Sequence, residues 1–422
     1  MSNGSMSEDS VVFVDFSTIA NAQQEIGPHW IEKCLMEHGK PVNNLANVLI
    51  ALRFDPRLCD AIAWDEMQQR PFLMKPLDGV DHPAFVARPL TDYDVSKIQE
   101  TLQVAGLKTV GKDVVHSAVD QRAHERSFHP VRDYLDGLAW DGVERLDSWL
   151  TDYLGAEHSP YTAGVGKMFL IGTVARILKP GCKVDHMLVL EGSQGAKKST
   201  ACAILGGPWF SDSLPDVNAG KDVSQHLAGK WVIEIPEMSA MSKGETAHLK
   251  AFITRTVEKY RPSYGRKEVS QPRQCVFIGT TNNSTYLRDE TGGRRFWPVK
   301  IGTIDTIALS EQRDQLFAEA VKCYLEGETW HPDAKFEKEI IFPEQEDRYE
   351  PDAWEGPIRD YLQENAPEKV YLGEIFQHAL AIEVTGRDRG KQNRVTAILT
   401  RLHWGRLKKD SNGNIPWGPP TG

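Results

Sequence analysis

Apolar positions change their spacing at about residue 185 of this 422-residue chain. Over 28–185 they recur at helical intervals. In DVSKIQETLQVAG, residues 94–106, Val95, Ile98, Leu102 and Val104 fall close to one helical face, and Gly106 supplies the stop. Comparable spacing predicts helices over 43–52, 112–126, 130–138, 145–154 and 159–178, with a small hairpin at 62–76. Trp140 and Trp149, set among leucines, read as packed aromatics of a helical subdomain. From Asp185 onward short apolar runs take over: MLVLEG (187–192), WVIEIPE (231–237), QCVFIGTTN (274–282) and RFWPVKI (295–301). Such runs between helical stretches are buried strands of a largely parallel sheet. Residues 303–350 read as helical and acidic. Helices at 356–364, 371–382 and 390–403, then a turn at Ser411-Asn412-Gly413-Asn414, predict three helices and a β-ribbon. The expected organisation is a flexible leader (1–27), a mainly helical N-terminal region (28–180), an α/β domain (181–350) and a winged-helix-like domain (355–422).

The sharpest chemical signal joins the first of those strands to a helix. After LVLE come Gly192, Ser193, Gln194, Gly195, Ala196, Lys197, Lys198, Ser199 and Thr200. Glycines let backbone N–H groups turn inward around phosphate oxygens, and a following helix N-terminus adds positive dipole. Lys198 is placed to reach the β- and γ-phosphates of ATP, and Ser199 to ligate Mg²⁺. The GxxxxGK[ST] pattern wants glycine where Lys197 stands. No other register rescues the match, so Lys198 and Ser199 keep their roles. Lys197 then lacks glycine's permissive backbone and adds a second cation.

Three further elements follow in an order that suits ATP hydrolysis. The strand ending Glu234-Ile235-Pro236-Glu237 offers one carboxylate for the metal, Glu234, and one to polarise water, Glu237. The strand ending in Asn282 puts an amide where it can sense the γ-phosphate. Arg294 and Arg295, after a Gly-Gly turn, are both candidates for an arginine finger, which requires a neighbouring subunit; the alternative is a structural pairing with Asp289 or Glu290.

Formal net charge is −10, which excludes a uniformly basic nucleic-acid coat. The charge is unevenly spread. Residues 301–355 hold fifteen acids and five bases, whereas 250–300 hold eleven bases and four acids. Within that basic stretch Arg261, Tyr264, Arg266 and Lys267 bracket a turn, as a hairpin that tracks phosphates and stacks bases would. A second basic region, 386–409, has eight bases and one acid. There Val395, Ile398, Leu399 and Leu402 supply an apolar helical face, and Arg394 and Arg401 project elsewhere, as candidates for duplex DNA contact. No stretch of 18 apolar residues occurs, so no transmembrane helix and no membrane partner is expected. The N-terminus has no signal-peptide pattern, and the six cysteines form no CxxC pair. That cysteine spacing suggests neither a zinc site nor a disulfide framework, and a cytoplasmic protein is expected.

Taken in order, LEGSQGAKKST, WFSDSLPD, WVIEIPEM, LKAFITRTVEKYRPSYGRKE, VFIGTTN and YLRDETGGRRFWPV resemble the virulence-associated protein E family, as does FHPVRDYLDGLAWDGVERLDSWL upstream. The resemblance spans roughly 85–350. These are P-loop ATPases of phages and mobile islands, similar to superfamily 3 helicases and phage primase-helicases. The resemblance implies a P-loop, AAA+-like ATPase core, a homohexamer, and 3′-to-5′ translocation on single-stranded DNA in replication, with duplex origin DNA a further partner. Lys198 and Ser199 match Walker A, Glu234 and Glu237 the acidic strand end, Asn282 sensor 1, and Arg261 to Lys267 the DNA hairpin. Either Arg294 or Arg295 matches the finger. The segment before the matched region shows no acidic polymerase triad, so no priming is expected. Two alternatives stand beside the helicase: a nucleotide-gated DNA-binding initiator or regulator whose turnover Lys197 cripples, and a small-molecule P-loop kinase.

Overall fold

The computed structural model describes residues 29–80, 82–217, 220–261, 268–287, 293–383, 388–411 and 413–419. The chain divides into two compact units at Pro130.

In the first unit, helices α1 (Leu45–Phe54), α2 (Asp92–Ala105) and α3 (Lys112–His124) share a core with a small sheet. Its strands are β1 (Ile62–Asp65), β2 (Arg70–Leu73), β3 (Arg88–Pro89) and β4 (Ser127–Phe128). Strands β1, β2 and β3 pair antiparallel, and β4 joins β1 in parallel. The region expected to be mainly helical therefore also carries a four-stranded sheet. Helix α2 opens on a capping box between Thr91 and Asp94. Hydrogen bonds from Arg88, countered by burial, hold the Asp94 carboxyl down to about 2. Val95, Ile98 and Leu102 are buried as expected, but Val104 is 76% exposed. It stands two positions beyond Leu102, about 200° around the helix, and so faces away.

The second unit is built on a five-stranded parallel sheet. Its strands are β5 (Met187–Glu191), β6 (Phe210–Ser211), β7 (Val232–Ile235), β10 (Val276–Thr281) and β11 (Phe296–Lys300), and a separate antiparallel pair, β8 (Val257–Tyr260) and β9 (Val269–Pro272), lies between β7 and β10 in the chain. The sheet order is β11-β5-β10-β7-β6. All five strands are parallel, as the wholly apolar runs predict. Helices α4 (Pro160–Leu178), α5 (Lys198–Gly206) and α7 (Thr306–Leu325) pack together beside the sheet. Met187, Val189, Ile233, Ile235 and Phe277 share a core with Leu249, Phe252 and Ile253 of helix α6 (Lys243–Ile253). Helix α4 starts on a Ser159–Thr162 capping box with Pro160 in its first turn, and fourteen of its nineteen residues are buried. A helix buried all round belongs inside a domain. Its contacts with β5 and α7 explain why residues 131–180 join the sheet, and why the chain divides at Pro130 instead of near 180. Among the described residues no helix is long and apolar enough to cross a membrane.

The helix expected over 145–154 shrinks to Trp149–Asp152. The backbone N–H groups of Arg145 and Leu146 instead donate to the buried Glu319 carboxylate, at 2.6 and 3.2 Å, which holds that segment out of a helix. The C-terminal segment follows the expected order: α8 (Glu355–Asn365), a helical stretch at 372–379, α9 (Arg389–Arg401), and a ribbon of β12 (Gly405–Arg406) with β13 (Trp417–Gly418). Ile358, Phe376, Val395, Ile398, Leu399 and Trp417 form its core.

Candidate functional site

Between the end of β5 and the start of α5 the chain curls into a loop whose shape depends on two glycines. A Cβ on Gly192 would meet Ile301 Cγ1 at 2.8 Å, so no side chain fits there. Gly195 takes φ +82°, and Lys197 takes φ +64°. Glycine adopts that left-handed region freely, whereas an L-residue with a Cβ is strained by about 1–2 kcal/mol. The departure from the phosphate-loop pattern therefore falls on a residue whose backbone conformation favours glycine. Lys197→Gly should stabilise the fold by roughly 0.5–1 kcal/mol, after glycine's greater unfolded-state freedom is offset. Urea unfolding checks this; a lowered midpoint would show that the Lys197 side chain contributes more than its backbone costs.

Lys198, the first residue of α5, is buried. Its Nζ donates to the carbonyl oxygens of Gly192 (2.7 Å) and Ser193 (2.9 Å) and to Asn282 Oδ1 (2.9 Å). Burial lowers its pKa, with Glu234 pulling the other way. Asn282 arrives beside the loop because β10 lies directly between β5 and β7. Next to it, Ser199 Oγ donates to Glu234 Oε1 at 2.8 Å, and Thr280 Oγ1 donates to the same oxygen at 2.7 Å. Glu234 Oε2 is buried and has no hydrogen-bond partner among the described residues. Leaving such an acceptor bare costs about 1–3 kcal/mol, more for a charged group, so the atom calls for a donor or a cation. Oxygen donors from Ser199 and Glu234 suit a hard divalent ion such as Mg²⁺.

Glu237 lies just past β7, exposed, with φ +52°, and begins a tight turn over Met238–Ala240. Gln194 to Thr200, Pro236, Glu237 and Thr280 to Asn282 line one cleft of about 460 Å³. It sits at the carboxyl ends of the parallel strands, where open α/β sheets bind ligands. The structure thus brings Lys198, Ser199, Glu234, Glu237 and Asn282 together. Thr280 was not among the expected residues. The available signal was period-2 alternation: Ile278 pairs with Glu234, so Thr280 points to the same face one step nearer the cleft.

Arg294 and Arg295 are not in this cleft. Phe296 pairs with Met187 and Lys300 with Glu191, so the two arginines lie at the opposite edge of the sheet from the loop. Five strand residues separate the edges by roughly 17 Å. Arg295 Nε is buried without a hydrogen-bond partner among the described residues. Burial, together with Arg295 and Arg294, pushes Lys250 down to about 8. Neither arginine is positioned to serve the nucleotide cleft of its own chain.

The basic hairpin is present as β8 and β9, in register from Val257↔Pro272 to Tyr260↔Val269. Arg261 is exposed at its outer end. Tyr264, Arg266 and Lys267 lie outside the described residues. Arg394 and Arg401, expected to contact duplex DNA, are each engaged by an acid and an aromatic ring. Arg394 grips Asp352 (Nη2 to Oδ1, 2.6 Å) and lies 3.9 Å over the Trp354 ring. Arg401 pairs with Glu346 at 2.9 Å and lies 3.3 Å over Tyr349. Charge counting along the chain missed this, because the acids that neutralise them sit some 40 to 55 positions upstream.

The family model for the virulence-associated protein E-like domain matches residues 135–350, just over half of the chain, and the chain belongs to that family. Among solved structures it is similar to the apo structure of the NrS-1 C-terminal region (305–718), at 13% identity over 85% of this chain and 96% of that one, with a TM-score of 0.47. The A form of the apo NrS-1 C-terminal region matches at 11% identity over the same shares, also with a TM-score of 0.47. No curated protein matches.

Proposed function

We propose that this chain is an ATP-dependent DNA translocase of the helicase type, acting in replication of a phage or mobile element. The observation that carries the reading is the pairing of Lys198 with Asn282 beside Ser199, Thr280 and the half-satisfied Glu234. In this reading ATP is the substrate, its phosphates cradled by residues 192–200. Lys198 exchanges the two loop carbonyls for phosphate oxygens, and Asn282, already on Lys198, lies where the terminal phosphate is sensed. Ser199 and Glu234 hold Mg²⁺, which when bound withdraws charge from the phosphate oxygens. Thr280 fixes the Glu234 carboxylate so that Oε2 keeps its direction. Glu237 accepts a proton from the attacking water as the bond to the bridging oxygen breaks and ADP leaves. Arg294 or Arg295 serves a neighbour's site, since each is at the far edge from its own. That requires an assembly, and a homohexamer is its expected form. The hairpin β8–β9 carries Arg261 toward single-stranded DNA.

A steady-state assay of the purified chain tests this. ATP turnover should rise with single-stranded DNA, and Glu237→Gln should retain nucleotide binding while losing about 10²–10⁴ in turnover. Turnover indifferent to DNA, in a monomer that phosphorylates a small acceptor, would sink the translocase and leave the kinase. One observation favours a second reading, a nucleotide-gated DNA-binding regulator: the left-handed Lys197 strains the loop. A large gain in turnover for Lys197→Gly over wild type would select it.

A further inference from the structure

A second polar cluster lies at the sheet edge away from the cleft. Asp185 and His186 directly precede β5, and His331 follows α7 in the chain. One potential ligand atom from each lies within 4.8 Å of the other two. Asp185 is 5% exposed, and its Oδ1 has no hydrogen-bond partner among the described residues. The His186 Nδ1 atom is 3.8 Å from that oxygen, beyond hydrogen-bond reach. The imidazole plane of His186 is set by Trp297, stacked at 4.4 Å and 13°. His331 closes the cluster from the segment beyond α7, its ring centroid 6.0 Å from that of His186. A buried carboxylate oxygen left bare beside two imidazoles has a ready explanation in a cation that all three share.

We propose that Asp185, His186 and His331 form a binding site for a late first-row divalent cation, with Zn²⁺ the expected metal. Two imidazoles and one carboxylate suit zinc and its neighbours, whereas Mg²⁺ and Ca²⁺ take oxygen donors. The surrounding charge works against any dication, so electrostatic attraction alone does not select the metal. Lys183 Nζ is 3.3 Å from Asp185 Oδ2, and the buried Arg176, tied to the Val184 carbonyl at 2.8 Å, is a second cation nearby. A site bordered by cations holds a metal through coordinate bonds to imidazole more readily than through charge alone. Zinc bonds of about 2.0–2.1 Å at tetrahedral angles put ligand atoms roughly 3.3 Å apart. The widest spacing must therefore contract by up to about 1.5 Å, which side-chain rotation of the partly exposed His331 can supply. Three protein ligands leave a fourth position for water. The length of β5 separates the ion from the nucleotide cleft, and it ties the His331 segment to the start of β5 and, through Trp297, to the strand that follows the paired arginines.

The untagged full chain, stripped with chelator and desalted, would be titrated with Zn²⁺ in competition with a chromophoric chelator, without nucleotide or Mg²⁺. One equivalent should bind with Kd below about 1 μM and raise the melting temperature. His331→Ala should weaken binding at least about 10-fold and abolish the thermal shift. Glu234→Gln, which alters the cleft, should bind zinc like wild type. If His331→Ala fails to fold, the isosteric Asp185→Asn carries the comparison. Absence of a stoichiometric zinc in wild type, or equal affinity in wild type and the ligand variants, overturns the proposal.

Discussion

Lys198→Ala should lower ATP turnover by roughly 10²–10³, the scale of removing one donor from a charge-stabilising site, and should weaken nucleotide binding as well. The Lys198 ammonium is held by two loop carbonyls and Asn282 Oδ1, all at 2.7–2.9 Å. Among the described residues these three are the acceptors of Nζ, and none is a carboxylate. Glu234 acts on this charge without bonding it, so the ammonium is held by neutral oxygens, ready to turn to phosphate. Fold stability should change little, since the freed carbonyls belong to exposed Ser193 and half-buried Gly192, where water can replace the ammonium. Lys198→Arg should not rescue, because a planar five-donor fork cannot replace a point charge in a loop this tight. Unchanged turnover in Lys198→Ala, with the melting temperature also unchanged, would remove this cleft as the site of hydrolysis.

The apolar runs at 187–192, 231–237, 274–282 and 295–301 become strands of one parallel sheet, each within a residue or two of its expected limits. They were legible because strands buried on both faces need no alternation, and the turns beside them carry their own chemistry. The core of the site was legible for a related reason. Lys198, Ser199, Glu234, Glu237 and Asn282 each stand at a strand end or helix start, so local order alone places them at one sheet edge. What sequence could not show depends on partners far along the chain. Arg394 and Arg401 read as exposed cations until Asp352 and Glu346 are seen against them. Only the register of β11 with β5 shows that the arginine pair lies at the other edge from the cleft. His331 lies too far from Asp185 in sequence for any ligand spacing to suggest a cluster.

Replacing Arg273 should destabilise the second unit by about 3–5 kcal/mol, the usual result of stripping one partner from a buried ion pair. Arg273 opens the connection from β9 to β10, and its side chain has 0% exposure. The guanidinium donates to Glu258 Oε1 (Nε, 3.0 Å) and to the Ile253 carbonyl (3.3 Å). It also bonds the Phe252 carbonyl, so one side chain satisfies the open carbonyls at the end of α6. It lies 4.5 Å over the Phe252 ring and 5.3 Å over Phe277. Glu258, on β8, also accepts a hydrogen bond from Ser224 at 2.8 Å. In Arg273→Ala that carboxylate stays buried with one hydroxyl donor and the Arg255 guanidinium 3.9 Å away, and two helix-end carbonyls lose their donor. Glu258→Ala leaves the cation bare instead. The double variant removes both charges, so its loss should be smaller than the sum of the singles by at least about 1 kcal/mol in a urea-unfolding cycle. The same contacts anchor the base of hairpin β8–β9 to α6. Folded Arg273→Ala should therefore lose its response to single-stranded DNA before it loses basal turnover. Additive losses across the cycle would mean that Arg273 acts through its aromatic stacking and its carbonyl contacts, with Glu258 anchored independently by Ser224.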